Sequence, residues 1–524
     1  MNEGVDYKHI SITDLDAEIS DIKLIGKGVS CKINQLNFVE QSGFKVDEFT
    51  TEAIVSPSGI IAQHLNVTTP FSKVDGNVTF LTNSYASLSN FIEDVKIRSY
   101  FNTTKVHFKD IYYFAPALNG LDKSLRFEGE VKGSINNLKG RKLSILIDDG
   151  TRFKGSADIS GLPNANDMFM YVKVKELTTT KTKIESIPLF PFSDGNFIKL
   201  PSNFKHLGVI RFKGNFTGFY HDFVTYGQLK TKLGDVTTDI SIKMNKGKSK
   251  YKGKLITNNF KLGRLFEMEK DIGSVTMDVN IDGKGFSKKD VDATLTGDIK
   301  KVVIKNYEYN NVAVKGNFKD QIFAGFLAVN DENVSFDFDG NIDFGKKLPE
   351  INFISNITNA KLAKLNFISS KNKLKTRFST QLKVNLIGKG ADDIVGNVEL
   401  VNSRYYDKLD SIIVDNILVQ SDFDSLERTI TVQSDLLDAE LVGEFKVEEL
   451  SKYVQQFFAR YIPSQIDETH EITNLSNDLN FNIELHNSEL LSKLLFGGVK
   501  MSDHTVIYGD YDAEKHNLSV TGKS

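Results

Sequence analysis

The chain has 524 residues, with 65 lysines and arginines against 68 aspartates and glutamates, a net charge of −3. That balance, with no long Lys/Arg run, argues against a dedicated nucleic-acid binder, which needs a basic surface to displace counterions from phosphates. The single cysteine, Cys31, excludes an intramolecular disulfide framework and a thiolate metal cluster, and is expected as a small strand residue.

Tryptophan is absent, phenylalanine numbers 38 and proline only 9, a composition suited to pleated, half-buried surfaces. The longest apolar runs, such as "FAGFLAV" (323–329), are too short to cross a bilayer, and the first residues lack the charged-then-apolar pattern of a secretory leader.

One five-residue pattern recurs from end to end, apolar-x-Gly-x-apolar. It begins with "VDGNV" (74–78) and continues as "FEGEV" and "VKGSI" (127–135), "FKGSA" (153–157), "FKGNF" (212–216) and "YKGKL" (251–255). Further on come "LTGDI" (295–299), "VKGNF" (314–318), "FDGNI" (338–342), "IVGNV" (394–398) and "LVGEF" (441–445). Side chains alternate across a strand, so in "FKGNF" Phe212 and Phe216 share a face with Gly214 between them. Strand alternation extends around these pivots in "DISIKM" (239–244), "TMDVNID" (276–282), "VSFDFDGNIDF" (334–344) and "LNFNIELHN" (479–487). One wet and one dry face is the signature of antiparallel sheets.

Two amphipathic helices are expected, at 84–95 ("SYASLSNFIEDV") and 447–461 ("VEELSKYVQQFFARY"), each flanking or plugging a sheet. Longer segments also repeat. Residues 127–145 resemble 212–233, and 278–318 resemble 383–423, with GKG triplets at 283–285 and 388–390. The expected domain plan is one continuous β-repeat array over 1–524, with modules at about 1–120, 121–200, 201–265, 266–370, 371–470 and 471–524.

No catalytic signature emerges. The GKG triplets, including one at 26–28, lack the glycine spacing of a dinucleotide or P-loop and read as turns. "DFDGNIDFGKKLPE" (337–350) has its glycine at the wrong position for a calcium loop. Asp148/Asp149 and Asp392/Asp393 read as solvated turn acids. His9, His64, His107, His206, His221, His470, His486, His504 and His516 are scattered, with no HExxH pair. The expectation is a non-enzyme with no cofactor and no metal.

The fold class expected is all-β, an elongated, strongly curved and mostly antiparallel sheet forming a trough, with a few short amphipathic helices. About 11 residues per strand and turn gives an upper figure of about 45 strands and a length on the order of 200 Å. Glycines Gly129, Gly133, Gly214, Gly218, Gly297, Gly316, Gly340, Gly396 and Gly443 are the expected sites of curvature. The apolar lining is expected from Phe212, Phe216, Ile240, Ile242, Met277, Val279, Ile281, Phe336, Phe338, Ile342, Val384 and Leu386.

Over nearly its whole length the chain resembles the TamB branch of the AsmA-like family in its Bacteroidetes-type form. The resemblance lies in diffuse repeat patterns at 34–80, 101–140 ("FNTTKVHFKDIYYFAPALNGLDKSLRFEGEVKGSINNLKG"), 151–184 and 187–231. It implies a periplasmic β-taco between inner and outer membrane that carries phospholipid, or another acyl-chain lipid, or assists outer-membrane protein assembly. The implied partner is a BamA-like outer-membrane protein of the TamA type. That family's inner-membrane helix and C-terminal domain have no counterpart here, so the resemblance implies a central piece truncated at both ends. Two other readings stand beside it: a structural or adhesive β-array with a closed apolar core, and a β-helix polysaccharide enzyme built on scattered carboxylates.

Overall fold

The computed structural model describes all residues except 1–4, 6–8, 165–166, 189–196, 245–248, 271, 286–289, 305, 366–375, 407–410, 425–426, 448–477, 490–501, 513–516 and 524. The chain divides into two units, Met1–Phe286 and Ser287–Ser524. Among the described residues, sixteen strands, from Ile12–Ile25 to Ile272–Lys284, lie in the first, and thirteen, from Asp292–Ile304 to Asn517–Lys523, in the second. The architecture is all-β, antiparallel and open. The 29 described strands fall below the upper figure of about 45, and many of them run to 10–14 residues, longer than an 11-residue repeat with its turn allows.

Within each unit the strands pair antiparallel with their neighbours in sequence, as hairpin-connected meanders do. One exception is local: Gly28–Glu40 pairs with both the two-residue strand Lys45–Val46 and Glu48–Ser56. Among the described residues Ile12–Ile25 has one partner strand, Gly28–Glu40, and it is exposed along almost its whole length. Asp14, Asp16, Glu18, Asp21 and Lys23 place charge along this edge, which discourages further pairing.

Bulges punctuate both units. At several of them a non-glycine residue takes positive φ: His64 (50°), Lys142 (51°), Asn259 (48°), Asn359 (55°) and Asn402 (53°). A buried threonine often accompanies the irregularity and donates to a carbonyl of the next strand. Thr51 Oγ1 donates to Gln63 O (2.8 Å), Thr257 Oγ1 to Val275 O (3.0 Å) and Thr380 Oγ1 to Val401 O (3.3 Å). The hydroxyls pair carbonyls at points where a bulge disturbs the ladder, and the extra residue increases local twist. A lone threonine in an apolar stripe gives no sequence cue to this role.

Helices are short. The segment at 84–95 forms a 3₁₀ turn, Tyr85–Asn90, and one α turn, Phe91–Asp94, neither with a buried residue. Its only close aromatic packing described is Phe91 against Phe80, 5.1 Å between ring centroids. A plugging amphipathic helix is therefore not formed there. Ser84, Ser87, Ser89 and Asn90 break the segment, since their short polar side chains favour turns and caps over helix interiors. The segment expected as a helix at 447–461 lies outside the described residues, apart from Val447.

Candidate functional site

Strand registers align the expected lining residues in cross-strand rows. In the first unit one row runs Val172–Phe216–Thr225–Ile240–Gly253–Ile281. A parallel row runs Leu177–Phe212–Leu229–Val236–Thr257–Met277, and Ile242 lies between Phe223 and Tyr251 in a third. Between the first two lies the row Val174–Gly214–Gly227–Thr238–Leu255–Val279. All seven expected lining residues of this unit thus share one face. Six are half-buried, while Val279 is fully buried at 0% exposure.

The second unit repeats the arrangement. Ile342, Ile351 and Leu386 form one row, Gly340, Phe353 and Val384 the next, and Phe336 pairs with Val329 and Ile357. Phe338 faces Leu327, is 8% exposed and packs on Phe353 at 4.9 Å between centroids, so it is core. The other four lining residues of this unit are half-buried. The opposite face of the first unit's sheet is wet: Lys243 pairs with Asp222 (2.9 Å), Lys252 with Asp282 (2.8 Å) and Lys254 with Asp278 (2.9 Å).

The glycines stand on the apolar face, opposite apolar side chains or other glycines. Gly129 faces Phe101, Gly133 Leu138, Gly218 Phe223, Gly297 Val314, Gly340 Phe353, Gly396 Leu386 and Gly443 Leu479. Gly214 pairs with Gly227, and Gly316 with Gly325. The gap in "FKGNF" is filled from within the strand. A Cβ on Gly214 would collide with the Tyr226 carbonyl and lie 2.9 Å from the Phe212 ring, and one on Gly227 would lie 2.7 Å from that ring. Phe153 covers Gly155 in the same way, 3.0 Å from a Cβ there. In these F-x-G segments the glycine makes room for a phenylalanine ring to lie flat on the backbone, which is aromatic rescue of a strand glycine. A ligand reaching that backbone would first have to displace the ring. Gly218 also has φ 134°, a conformation that strains any side-chain-bearing residue.

One cation interrupts the apolar face. Arg428, opposite Phe423 and Gly443, is 2% exposed. Its Nε and Nη2 donate to Ser421 Oγ (3.2 and 3.0 Å) and Nη2 to Ile394 O (3.3 Å), while Phe423 stacks 5.1 Å away and Nη1 has no partner. Burial pulls its pKa down, against the nearby charges of Asp392 and Asp393.

The turn readings hold in part: the triplet at 26–28 turns between two strands, whereas Gly283 and Lys284 of the second triplet still belong to the strand Ile272–Lys284, and Asp149, expected as solvated, has a side chain 14% exposed that accepts from Thr151 N. Asp148, Asp149, Asp392 and Asp393 are in turns, and Cys31 is a half-buried strand residue opposite Ala53. In the 388–390 triplet the amides of Lys389 and Gly390 donate to Asp393 Oδ1 (2.7 and 2.8 Å), which holds that carboxyl below its ordinary range. Donors that would cradle a phosphate are thus occupied by the chain's own carboxylate. On the wet face of the second unit, Asp339 and Glu399 border a shallow concavity, but Glu399 is tied to Lys383 at 3.1 Å.

Sequence spacing did not join Glu484, His486 and His504, whose potential ligand atoms lie within 4.8 Å of one another. Two of them form an E-x-H pair at a strand end, the one local cue available. No helix among the described residues is long and apolar enough to cross a membrane. No family model matches the sequence, and no curated protein and no solved structure is significantly similar to it.

Proposed function

We propose that this protein is a non-enzymatic carrier of acyl-chain lipid, phospholipid above all, along the apolar face of its antiparallel sheets. The observation that carries the reading is the cross-strand alignment of half-buried Phe212, Phe216, Ile240, Ile242, Met277 and Ile281 on one face, opposite a wet face laced with ion pairs. Apolar area returns roughly 25 cal/mol per Å² removed from water, independent of direction, so an acyl chain gains by lying along such rows without needing a discrete pocket. The sequence resemblance to the TamB branch of the AsmA-like family supports a cell-envelope setting between inner and outer membrane, with a BamA-like outer-membrane partner. Catalysis has no comparable support, since the acids bordering the wet-face concavity include an ion-paired Glu399.

The test is mass spectrometry of lipids extracted from the purified chain, followed by reloading of stripped protein with a fluorescent fatty acid. Ile281→Glu and Phe216→Glu should keep the β-sheet circular dichroism and lose loading by about 10-fold or more, because each puts a charge on a half-buried apolar position. Phe338 is unsuitable for this purpose, since a charge in the core would unfold the second unit. Lipid-free protein that cannot be loaded would instead identify a β-array whose apolar rows serve only packing.

A further inference from the structure

We propose that Glu484, His486 and His504 form a binding site for a late first-row divalent cation of the zinc class, with Asp438 as its outer carboxylate. Glu484 is the penultimate residue of the strand Asp478–Leu485, and His486 follows the strand directly. His504 precedes the strand Val506–Asp512, which pairs with it so that Glu484 faces Val506. The three residues therefore converge from the two ends of one connection.

Their backbone is fixed before any ion arrives. His504 N donates to Leu485 O (2.7 Å), Leu485 N to Thr505 O (3.0 Å) and His486 N to Leu436 O (2.9 Å). Leu485 itself is 2% exposed, in a core with Ile412, Val414 and Leu436. Beside His504, Asp503 Oδ1 accepts from both the amide and the hydroxyl of Ser488, each at 2.9 Å, tying the two ends of the connection together. His504 is held at φ 62°, an uncommon conformation for a residue with a side chain, which over-determined surroundings preserve at functional positions.

The donor chemistry is selective. Two imidazoles and one carboxylate suit zinc and its neighbours, whereas magnesium and calcium take oxygen donors. Donors around a tetrahedral ion with bonds of about 2.1 Å stand roughly 3.4 Å apart. His504 Nδ1 and Glu484 Oε1 are already at 3.5 Å, and the 4.8 Å limit for the trio closes by rotation of side chains that are partly exposed. Three protein ligands leave a fourth position for water.

Asp438 supplies two further arguments. It lies directly opposite Glu484 in the strand register, a like-charge pair that destabilises a sheet until a cation is placed beside it. Its Oδ2 is also 3.2 Å from His486 Nε2, the contact by which an outer carboxylate fixes the ring tautomer. An imidazole that donates from one ring nitrogen to a carboxylate offers the lone pair of the other to a metal. Among the described residues no other trio of histidine, cysteine or acid side chains is grouped closely enough to hold a metal.

The experiment is calorimetric titration of the metal-stripped full chain with zinc, repeated with cobalt for its visible spectrum. Wild type should take up one zinc with a rise in melting temperature, and cobalt should give the intense visible bands of four-coordination. His486→Gln, and His504→Asn (chosen because asparagine tolerates positive φ), should each weaken binding by about 10-fold or more. Asp438→Asn should retain the stoichiometry and weaken binding by about 10-fold, as loss of an outer carboxylate does. Wild type that takes up no zinc overturns the proposal. So does a His486→Gln/His504→Asn double variant that folds and still binds one zinc as tightly.

Discussion

In the first unit, the glycine row through Gly214 and Gly227 is two glycines wide and lies under one ring, Phe212. In the second, Gly316, Gly325 and Gly340 stand side by side on three successive strands. There Phe323 covers Gly316, with its ring 2.5 Å from where a Cβ would be, and Phe353 is the direct neighbour of Gly340. The wider gap is bordered by a chain of rings, Phe323, Phe338 and Phe353, of which Phe338 is core. The counterpart in the first unit, Phe216 stacked on Phe223 at 4.5 Å, remains half-buried. The same apolar-x-Gly-x-apolar text thus yields an aromatic core beside three glycines and an accessible aromatic stripe beside two.

The largest test of that contrast is Phe338→Ala against Phe216→Ala. Truncation at Phe338 should cost about 3–5 kcal/mol in denaturant unfolding, and at Phe216 about half as much. Equal losses would erase the distinction between core and stripe. Leucine at the row centres comes next. Gly325→Leu would strike the Gly316 backbone and Lys315 O, and should destabilise by about 3 kcal/mol. Gly214→Leu would strike the Tyr226 carbonyl and the Gly227 backbone as well as the Phe212 ring, and should cost a similar amount, about 3 kcal/mol. A Gly214→Leu variant as stable as wild type would break the ring-over-glycine account.

A smaller, pH-dependent difference comes from the polar knots of the two units. In the first, Asp110 accepts from Thr69 Oγ1 (2.7 Å) and from the Ser72 hydroxyl, groups that do not titrate in water. In the second, Asp331 accepts from Tyr307 Oη (2.6 Å) and from Asn310 Nδ2 (2.9 Å). Burial, and then the Asp331 carboxylate, push the Tyr307 pKa from 10.0 up to about 12. A raised folded pKa gives stability that is complete below the unfolded value and is lost as pH rises towards the folded one. The second unit should therefore weaken between pH 10.0 and about 12, and Tyr307→Phe should flatten that decline in urea midpoints measured across the range. Asp331 works in the opposite direction. Burial pushes its pKa up, but hydrogen bonds from Tyr307 and Asn310 outweigh it and hold the carboxyl below 3.8. Its contribution is present above the unfolded value and fades as pH falls through the folded one.

The smallest expected effect is Arg428→Met. An incompletely paired guanidinium stabilises little, and an apolar residue of similar volume should leave stability within about 1 kcal/mol of wild type or improve it. A loss several times larger would assign Arg428 a structural role through Ser421 and Ile394.

Much of the sheet was legible in single strands: "TMDVNID" is a strand with the faces its alternation assigns, and so is "VSFDFDGNIDF" as far as Asp343, beyond which Phe344 is exposed. Period two is a local property, readable without knowing the partner strand. Register is not local. That Phe216, Ile240 and Ile281 share one row while Phe212 falls with Met277 depends on hairpin lengths and bulges, and a bulge is set by one residue such as Asn259 or Asn402 entering positive φ. The trio of Glu484, His486 and His504 was illegible for the same reason, because strand pairing brings together histidines that lie far apart in the chain.

"FKGNF" divides the two kinds of information. Its residues alone determined that Phe212, Gly214 and Phe216 would share a face, since side-chain alternation follows from backbone geometry. Only the tertiary structure decided that Gly227 would be the glycine opposite and that the ring of Phe212 would cover both. Cross-strand neighbours and packing against them are settled by strand pairing, which a single strand does not encode.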